Sequence, residues 1–371
     1  MKELKLAVAS DLHLGHRRNE TVKIIQNLDE AFADNAQTAA LDIIVLAGDI
    51  YDHLLNLPDD CVYDIDNWIV RLLKLCKKHD IQLYVLYGTK SHDMDQGRRF
   101  IHLNNAARIG CDVRYIDTLC VEYIDKHDIH VLFVPDDLNP DASKTLAEVR
   151  DLMKAKGLSQ VDYAFMHGAF DYQLPDIVHS KHDSDAYLAL VDKLIFIGHI
   201  HTHSQKDRII AQGSFDRLSH GEEEPKGHVR AVVRNRDDYE IKFIENENAL
   251  KFLTLDCRGL TLAETMEEIA LFVRELPDGV HVRVNCSKDN PILTEMDQLV
   301  RMRPLIHWSK QVKKSLTVQE DNEDPFLPES LFVPIKINKE NIVDLLMQRV
   351  MLRIADPAMI DSAKSFLTEM R

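Results

Sequence analysis

The stretch Leu4-Lys5-Leu6-Ala7-Val8-Ala9-Ser10-Asp11-Leu12-His13-Leu14-Gly15 sets the reading of the chain: an apolar run of strand length that stops at an aspartate and a histidine. The same event recurs. The run 42–47 leads into Gly48-Asp49 and 82–87 into Gly88-Thr89-Lys90-Ser91-His92-Asp93; 163–166 leads into His167-Gly168 and 194–197 into Gly198-His199-Ile200-His201. Between several of these runs lie apolar residues three and four apart, as in Val22-Ile25-Leu28-Phe32 and Ile65-Trp68-Ile69-Leu72-Leu75-Cys76, the mark of helices with one core-facing stripe. Strands alternating with helices predict an α/β fold. In such a sheet the loops beyond the carboxyl ends of the strands converge, so residues distant in sequence meet at one edge. A single Gly-Asp is usually a turn, and a single histidine after a strand is usually a core residue. Five strand ends with the same residue types point instead to one shared site.

The residue types predict the chemistry. Asp11, His13, Asp49, His92, His167, His199 and His201 mix imidazole with carboxylate, which suits Mn²⁺, Fe or Zn²⁺ better than the all-oxygen shells of Mg²⁺ or Ca²⁺. Two such ions roughly 4 Å apart can share a carboxylate, acidify a water and stabilise charge on a phosphoryl group. Metal-dependent phosphoester hydrolysis by in-line attack is the expected reaction.

Composition narrows the setting. Over 371 residues the formal net charge is −16, which argues against a protein that coats itself in nucleic acid, so any DNA contact should be local. No uninterrupted apolar run approaches the roughly 20 residues of a membrane helix. The opening residues lack a signal-peptide core and cleavage site, so a cytoplasmic location is expected. Cys61, Cys76, Cys111, Cys120, Cys257 and Cys286 form no Cys-x-x-Cys pair and read as reduced thiols.

Further strands are expected at 129–134, 209–212 and 229–234, completing a catalytic domain over 1–248. The pattern then restarts as a small α/β appendage over 249–318, with strands at 251–256 and 280–285 and helices at 261–274 and from Thr294. Residues 319–338 have acidic, proline-bearing linker composition. Residues 339–371 read as two amphipathic helices broken at Asp356-Pro357, whose apolar stripe (Ile342, Leu345, Leu346, Met359, Ala363, Phe366, Met370) needs a surface to dock on.

Across roughly residues 5–205, Asp11-x-His13, Gly48-Asp49, Ser91-His92-Asp93, His167 and Gly198-His199-x-His201 resemble the five ordered motifs of calcineurin-like metallophosphoesterases. The resemblance implies two β-sheets flanked by helices. It places Asp11, His13, Asp49 and His201 around one metal. Asp49 would bridge to a second metal held by His167, His199 and the residue at 91, and His92 would meet the substrate. The family carries asparagine where this chain has Ser91, which predicts a weaker ligand there.

The stretches Asp11-Leu-His-Leu-Gly15 and Gly213-Ser-Phe-Asp-Arg217-Leu-Ser-His-Gly-Glu-Glu-Glu-Pro-Lys226-Gly227 resemble the SbcD family, the nuclease half of the SbcCD complex. That resemblance implies a DNA nuclease with two Mn²⁺ ions, with double-strand exonuclease and single-strand endonuclease activity in DNA repair. It makes 249–318 a capping domain and 339–371 the docking segment for a coiled-coil ABC-type ATPase. It also implies a homodimer, for which 64–78 and 97–107 are candidate surfaces. Arg17, Arg18, Arg98, Arg99 and Arg217 lie near ligand loops and are the candidate DNA contacts. The alternatives are a phosphoesterase for a small-molecule or protein substrate, and a non-catalytic scaffold weakened at the second metal. His16, His203 and His220 lie near the motifs without a ligand role assigned.

Overall fold

A computed structural model describes residues 3–56, 59, 61–136, 141–175 and 180–312. One six-stranded sheet contains β1 (Leu4–Ala9), β2 (Ile43–Ala47), β3 (Gln82–Leu86), β4 (Val113–Ile116), β11 (Gly227–Val233) and β12 (Tyr239–Glu245), in the order β12-β11-β1-β2-β3-β4. A second contains β5 (Cys120–Ile124), β6 (Ile129–Val134), β7 (Val161–His167), β8 (Val191–Gly198), β9 (Ser204–Lys206) and β10 (Ile209–Ala211), in the order β5-β6-β7-β8-β10-β9. The centre of each sheet is parallel, β1-β2-β3-β4 in one and β6-β7-β8-β10 in the other, with antiparallel strands at the margins. Parallel strands are covered on both faces, hence their nearly continuous apolar runs.

Leu6, Val8, Ile43 and Val45 from the first sheet and Phe133, Tyr163, Phe165 and Phe196 from the second share one buried layer. Tyr84, Phe133, Phe165 and Phe196 stack in sequence through it, with ring centroids 5.0, 5.8 and 5.5 Å apart. The outer face of the first sheet is covered by α1 (Thr21–Ala31), α3 (Cys61–His79) and α5 (Arg98–Ala106), with short α2 (Ala36–Ala39) and α4 (Lys90–Asp93) in the connections. The outer face of the second is covered by α6 (Ala142–Ala155) and α7 (Ser184–Leu190). The result is mixed α/β: sheets flanked by helices, as the alternation predicts.

The appendage has a core of its own. Strands β13 (Phe252–Asp256), β14 (His281–Cys286) and β15 (His307–Val312) form a parallel sheet, and α8 (Leu262–Phe272) and α9 (Met296–Met302) close it around Val282, Val284, Ile269 and Leu299. The edge strands β4, β5, β9, β12 and β15 were not expected from sequence; β12 alternates half-buried and exposed residues and carries little apolar signal. Residues 319–371, with the expected linker and docking helices, lie outside the described residues. No described helix is long and apolar enough to cross a membrane.

His228 on β11 is buried against Phe32 and accepts a hydrogen bond from Arg230 Nε at 3.3 Å, so it must be neutral. Burial, reinforced by the Arg230 charge, pushes its titration down to about 3. The unfolded chain takes up this proton near pH 6.5 and the folded chain refuses it, so stability is complete above 6.5 and lost as pH falls toward 3. Urea unfolding at stepped pH should show His228→Phe flattening that loss by up to roughly 1.4 kcal/mol per pH unit. An unchanged slope would remove His228 as its source.

Candidate metal centre

Beyond β1 and β2 the chain stays zipped: Asp11, His13 and Leu14 donate backbone N–H bonds to the carbonyls of Gly48, Asp49 and Ile50 at 3.0, 3.1 and 2.8 Å. Asp11, His13, Asp49 and His199 all lie in the left-handed region, with φ of 53, 48, 50 and 97°. Such conformations cost roughly 1–3 kcal/mol each and persist only where neighbouring structure enforces them. Glycines permit the close approach. A Cβ on Gly48 would fall 2.3 Å from His167 Nδ1, and one on Gly198 would fall 2.5 Å from the Ala47 carbonyl.

The strand ends assemble two adjoining donor groups. Asp11, His13 and His201 form one and Asp49, His167 and His199 the other, with a third set, His13, Asp52 and His92, sharing His13 with the first; within each the potential ligand atoms lie within 4.8 Å of one another. His199 joins the two, its backbone N–H 3.1 Å from both carboxylate oxygens of Asp11. In the first group His201 Nε2 is 3.8 Å from Asp11 Oδ1. Both ring nitrogens of His13 are buried without a hydrogen-bond partner, Nδ1 standing 3.4 Å from Asp52 outside bonding geometry. Buried polar atoms are normally satisfied, and a cation would satisfy these. In the second group His167 Nδ1 lies 2.8 Å from the Ala47 carbonyl, to which it donates, and its Nε2 faces Asp49 Oδ1 at 3.3 Å. A backbone acceptor on the far nitrogen fixes tautomer and ring orientation as metal-binding imidazoles require.

Burial opposes charge on both Asp49 and His167, but their mutual attraction wins. The Asp49 carboxyl is held well below its ordinary range, and His167 rises to about 10. That attraction favours a protonated His167 beside Asp49, and a cation bound there would displace the proton, since ligands must shed protons to bind metal. Titration calorimetry with Mn²⁺ at pH 7, in two buffers of different ionisation enthalpy, should therefore register release of about one proton. Zero net release would count against His167 as a ligand.

The comparisons with known proteins supply no family. No family model matches the chain, and no curated protein matches it. Among solved structures, one crystal structure aligns over 66% of this chain and 100% of its own length, at 12% identity and a TM-score of 0.39. GAP50, the anchor in the inner membrane complex of Plasmodium, aligns over 67% of this chain and 86% of its own, at 12% identity and 0.38. Likeness at this level carries no argument about fold or function.

Of the expected donors the structure brings together Asp11, His13, Asp49, His167, His199 and His201, and sets His92 beside them. The His92 ring is edge-on to His13 at 4.9 Å, and its Nδ1 donates to the Asp52 carbonyl at 2.6 Å, which leaves Nε2 for other partners. Ser91 is exposed on the one-turn helix α4. The hydroxyl that faces the second group is that of Thr89, which lies 3.1 Å from Asp49 Oδ2, 3.4 Å from His167 Nε2 and 3.5 Å from His199 Nδ1. The turn into α4 follows Gly88 at once, so the first loop residue faces the site. The sequence signal was available, since Asp49 and His199 also follow their glycines directly. Thr89→Val should weaken one Mn²⁺ site about tenfold, as outer ligand partners commonly do, while Ser91→Ala leaves both unchanged; calorimetry reads the difference.

Three of the five candidate DNA-contact arginines are engaged elsewhere. Arg98 pairs with Asp117; Arg99 pairs with Asp66 and ties α5 to α3; Arg217 donates to the carbonyls of Ala249 and Glu224 at 3.3 and 3.1 Å. Arg17 and Arg18 are exposed on the loop after His13. The apolar stripe of α3, from Val62 to Cys76, faces the core. Sequence reasoning missed Asp52, whose carboxylate and carbonyl approach His13 and His92, and it gave Asp93 and Glu222 no role.

Proposed function

We propose that this chain is a calcineurin-like metallophosphoesterase of the SbcD type, a two-metal, Mn²⁺-dependent DNA phosphodiesterase. One observation carries the reading: two imidazole–carboxylate donor groups, built from four strand ends and tied together through Asp11 and His199, with a histidine from a fifth, His92, at their margin. Asp11, His13, His201 and Asp49 would hold one divalent cation, and Asp49, His167 and His199 the other, with the Thr89 hydroxyl as their outer partner. Bound there, the pair would supply charge for the phosphoryl oxygens and acidify an attacking water.

The protein's own groups do the rest. His92, anchored through Nδ1 to the Asp52 carbonyl, keeps Nε2 for the leaving oxygen and donates the proton that oxygen needs. Arg17 and Arg18, beside His13, meet the phosphate backbone locally, which agrees with a chain of net charge −16. The appendage at 249–318 serves as the capping domain in this reading, and 339–371 as the docking segment for a coiled-coil ABC-type ATPase; the active form is a homodimer.

The test uses the full chain with Mn²⁺ on labelled duplex DNA, single-stranded circles and bis(p-nitrophenyl) phosphate. DNA cleavage that His92→Ala removes supports the proposal. Turnover of the small ester alone would transfer the reading to small-molecule phosphoesters, and no turnover, with or without an ATPase partner, would make the chain a scaffold.

A further inference from the structure

The segment 213–227, which sequence marked only by resemblance, lies directly beneath His201. Glu222 Oε1 stands 3.4 Å from His201 Nδ1. The same carboxylate is itself held in place, accepting from the Leu218 backbone N–H at 3.3 Å and the Ser219 hydroxyl at 3.1 Å, and its Oε2 lies 3.1 Å from Lys226 Nζ. Lys226 is 1% exposed, and its Nζ donates to the backbone carbonyl of His201 at 2.9 Å. Ser214 N–H donates to that same carbonyl at 3.1 Å. The segment also reaches the neighbouring donor: the Ser10 hydroxyl lies 2.5 Å from Asp11 Oδ2 and 3.3 Å from the Gly213 carbonyl.

We propose that Glu222 is the positioning residue for His201, and that 213–227 is the outer support of the Asp11, His13, His201 donor group. With Nδ1 turned to a carboxylate, the ring presents Nε2 toward Asp11, 3.8 Å away, in a single tautomer. Lys226 makes the arrangement stiff, because one buried ammonium holds both the carboxylate and the backbone of the residue that the carboxylate orients. The segment's direct contacts are thus with the first donor group, while His167 of the other is oriented by the Ala47 carbonyl. This rests on the metal-centre reading above and assigns a residue to it.

The experiment is Mn²⁺ titration calorimetry on the full chain, with His201→Ala marking which of two binding events belongs to that group. Glu222→Gln is expected to weaken that event about 10- to 100-fold and leave the second within twofold. The double variant Glu222→Gln with Lys226→Met removes the buried charge pair together, and should show the same selective loss with circular dichroism unchanged. Wild-type affinities for both events in either variant overturn the proposal. So does an equal weakening of both events with a lower metal-free melting temperature, which would assign Glu222 to the fold. A wild-type chain that binds no Mn²⁺ overturns the metal centre and this assignment with it, an outcome recognisable before any variant is made.

Discussion

Asp49→Asn should lower the proposed Mn²⁺-dependent DNA cleavage roughly 10³-fold or more, the scale on which removing a charge-stabilising group acts. The substitution keeps volume and shape but exchanges an anionic pair of oxygens for one neutral acceptor and a donor. Asp49 faces His167 Nε2 at 3.3 Å and accepts from the backbone N–H and hydroxyl of Thr89 at 2.5 and 3.1 Å. It is the anion through which the two donor groups are proposed to share a ligand, so its loss should lower stoichiometry as well as rate. Cleavage assays paired with Mn²⁺ stoichiometry check this. Retention of two metals and of activity within tenfold would leave the two-metal reading without its centre.

The second large effect is on stability. Asp93 is buried and accepts four backbone N–H bonds, from Asp49 at 3.2 Å, Ile50 at 2.9 Å, Tyr51 at 3.1 Å and Gly88 at 2.7 Å. It is the buckle between the loops after β2 and β3. Asp93→Ala strands these donors away from water, and each buried unsatisfied group costs about 1–3 kcal/mol; with partial relaxation the total should be roughly 4 kcal/mol. Asp93→Asn keeps one acceptor and should cost about half as much. Urea unfolding of the metal-free protein measures both, and a loss under about 1 kcal/mol for Asp93→Ala would show that the loops hold without the buckle. Because three of the four donors lie on residues 49–51, the same variants should also weaken metal binding.

Much of this was visible in the residues themselves. The apolar runs ending in Asp11, Asp49, His167 and His199 revealed both the central strands and the candidate donors, because a strand buried on both faces has no polar alternation to obscure it. The marginal strands escaped notice for the opposite reason: β4 and β12 are half exposed, and their apolar content is diluted. Ser91 matches the family's asparagine because it directly precedes His92, and adjacency in sequence does not say which loop side chain faces the site. The arginines were nominated by nearness to ligand loops, but Arg99 pairs with Asp66 and Arg217 donates to the Ala249 carbonyl, partners distant in sequence.

The sequence by itself determined the strand–helix alternation and the chemical identity of the donors, because both are local properties of which residue ends which strand. Only the tertiary structure decided how those donors divide into two groups, which hydroxyl joins them and what lies behind each imidazole. Those are distances between residues as far apart as Asp11 and His199, or Ala47 and His167, and they exist only once two sheets have packed on one another.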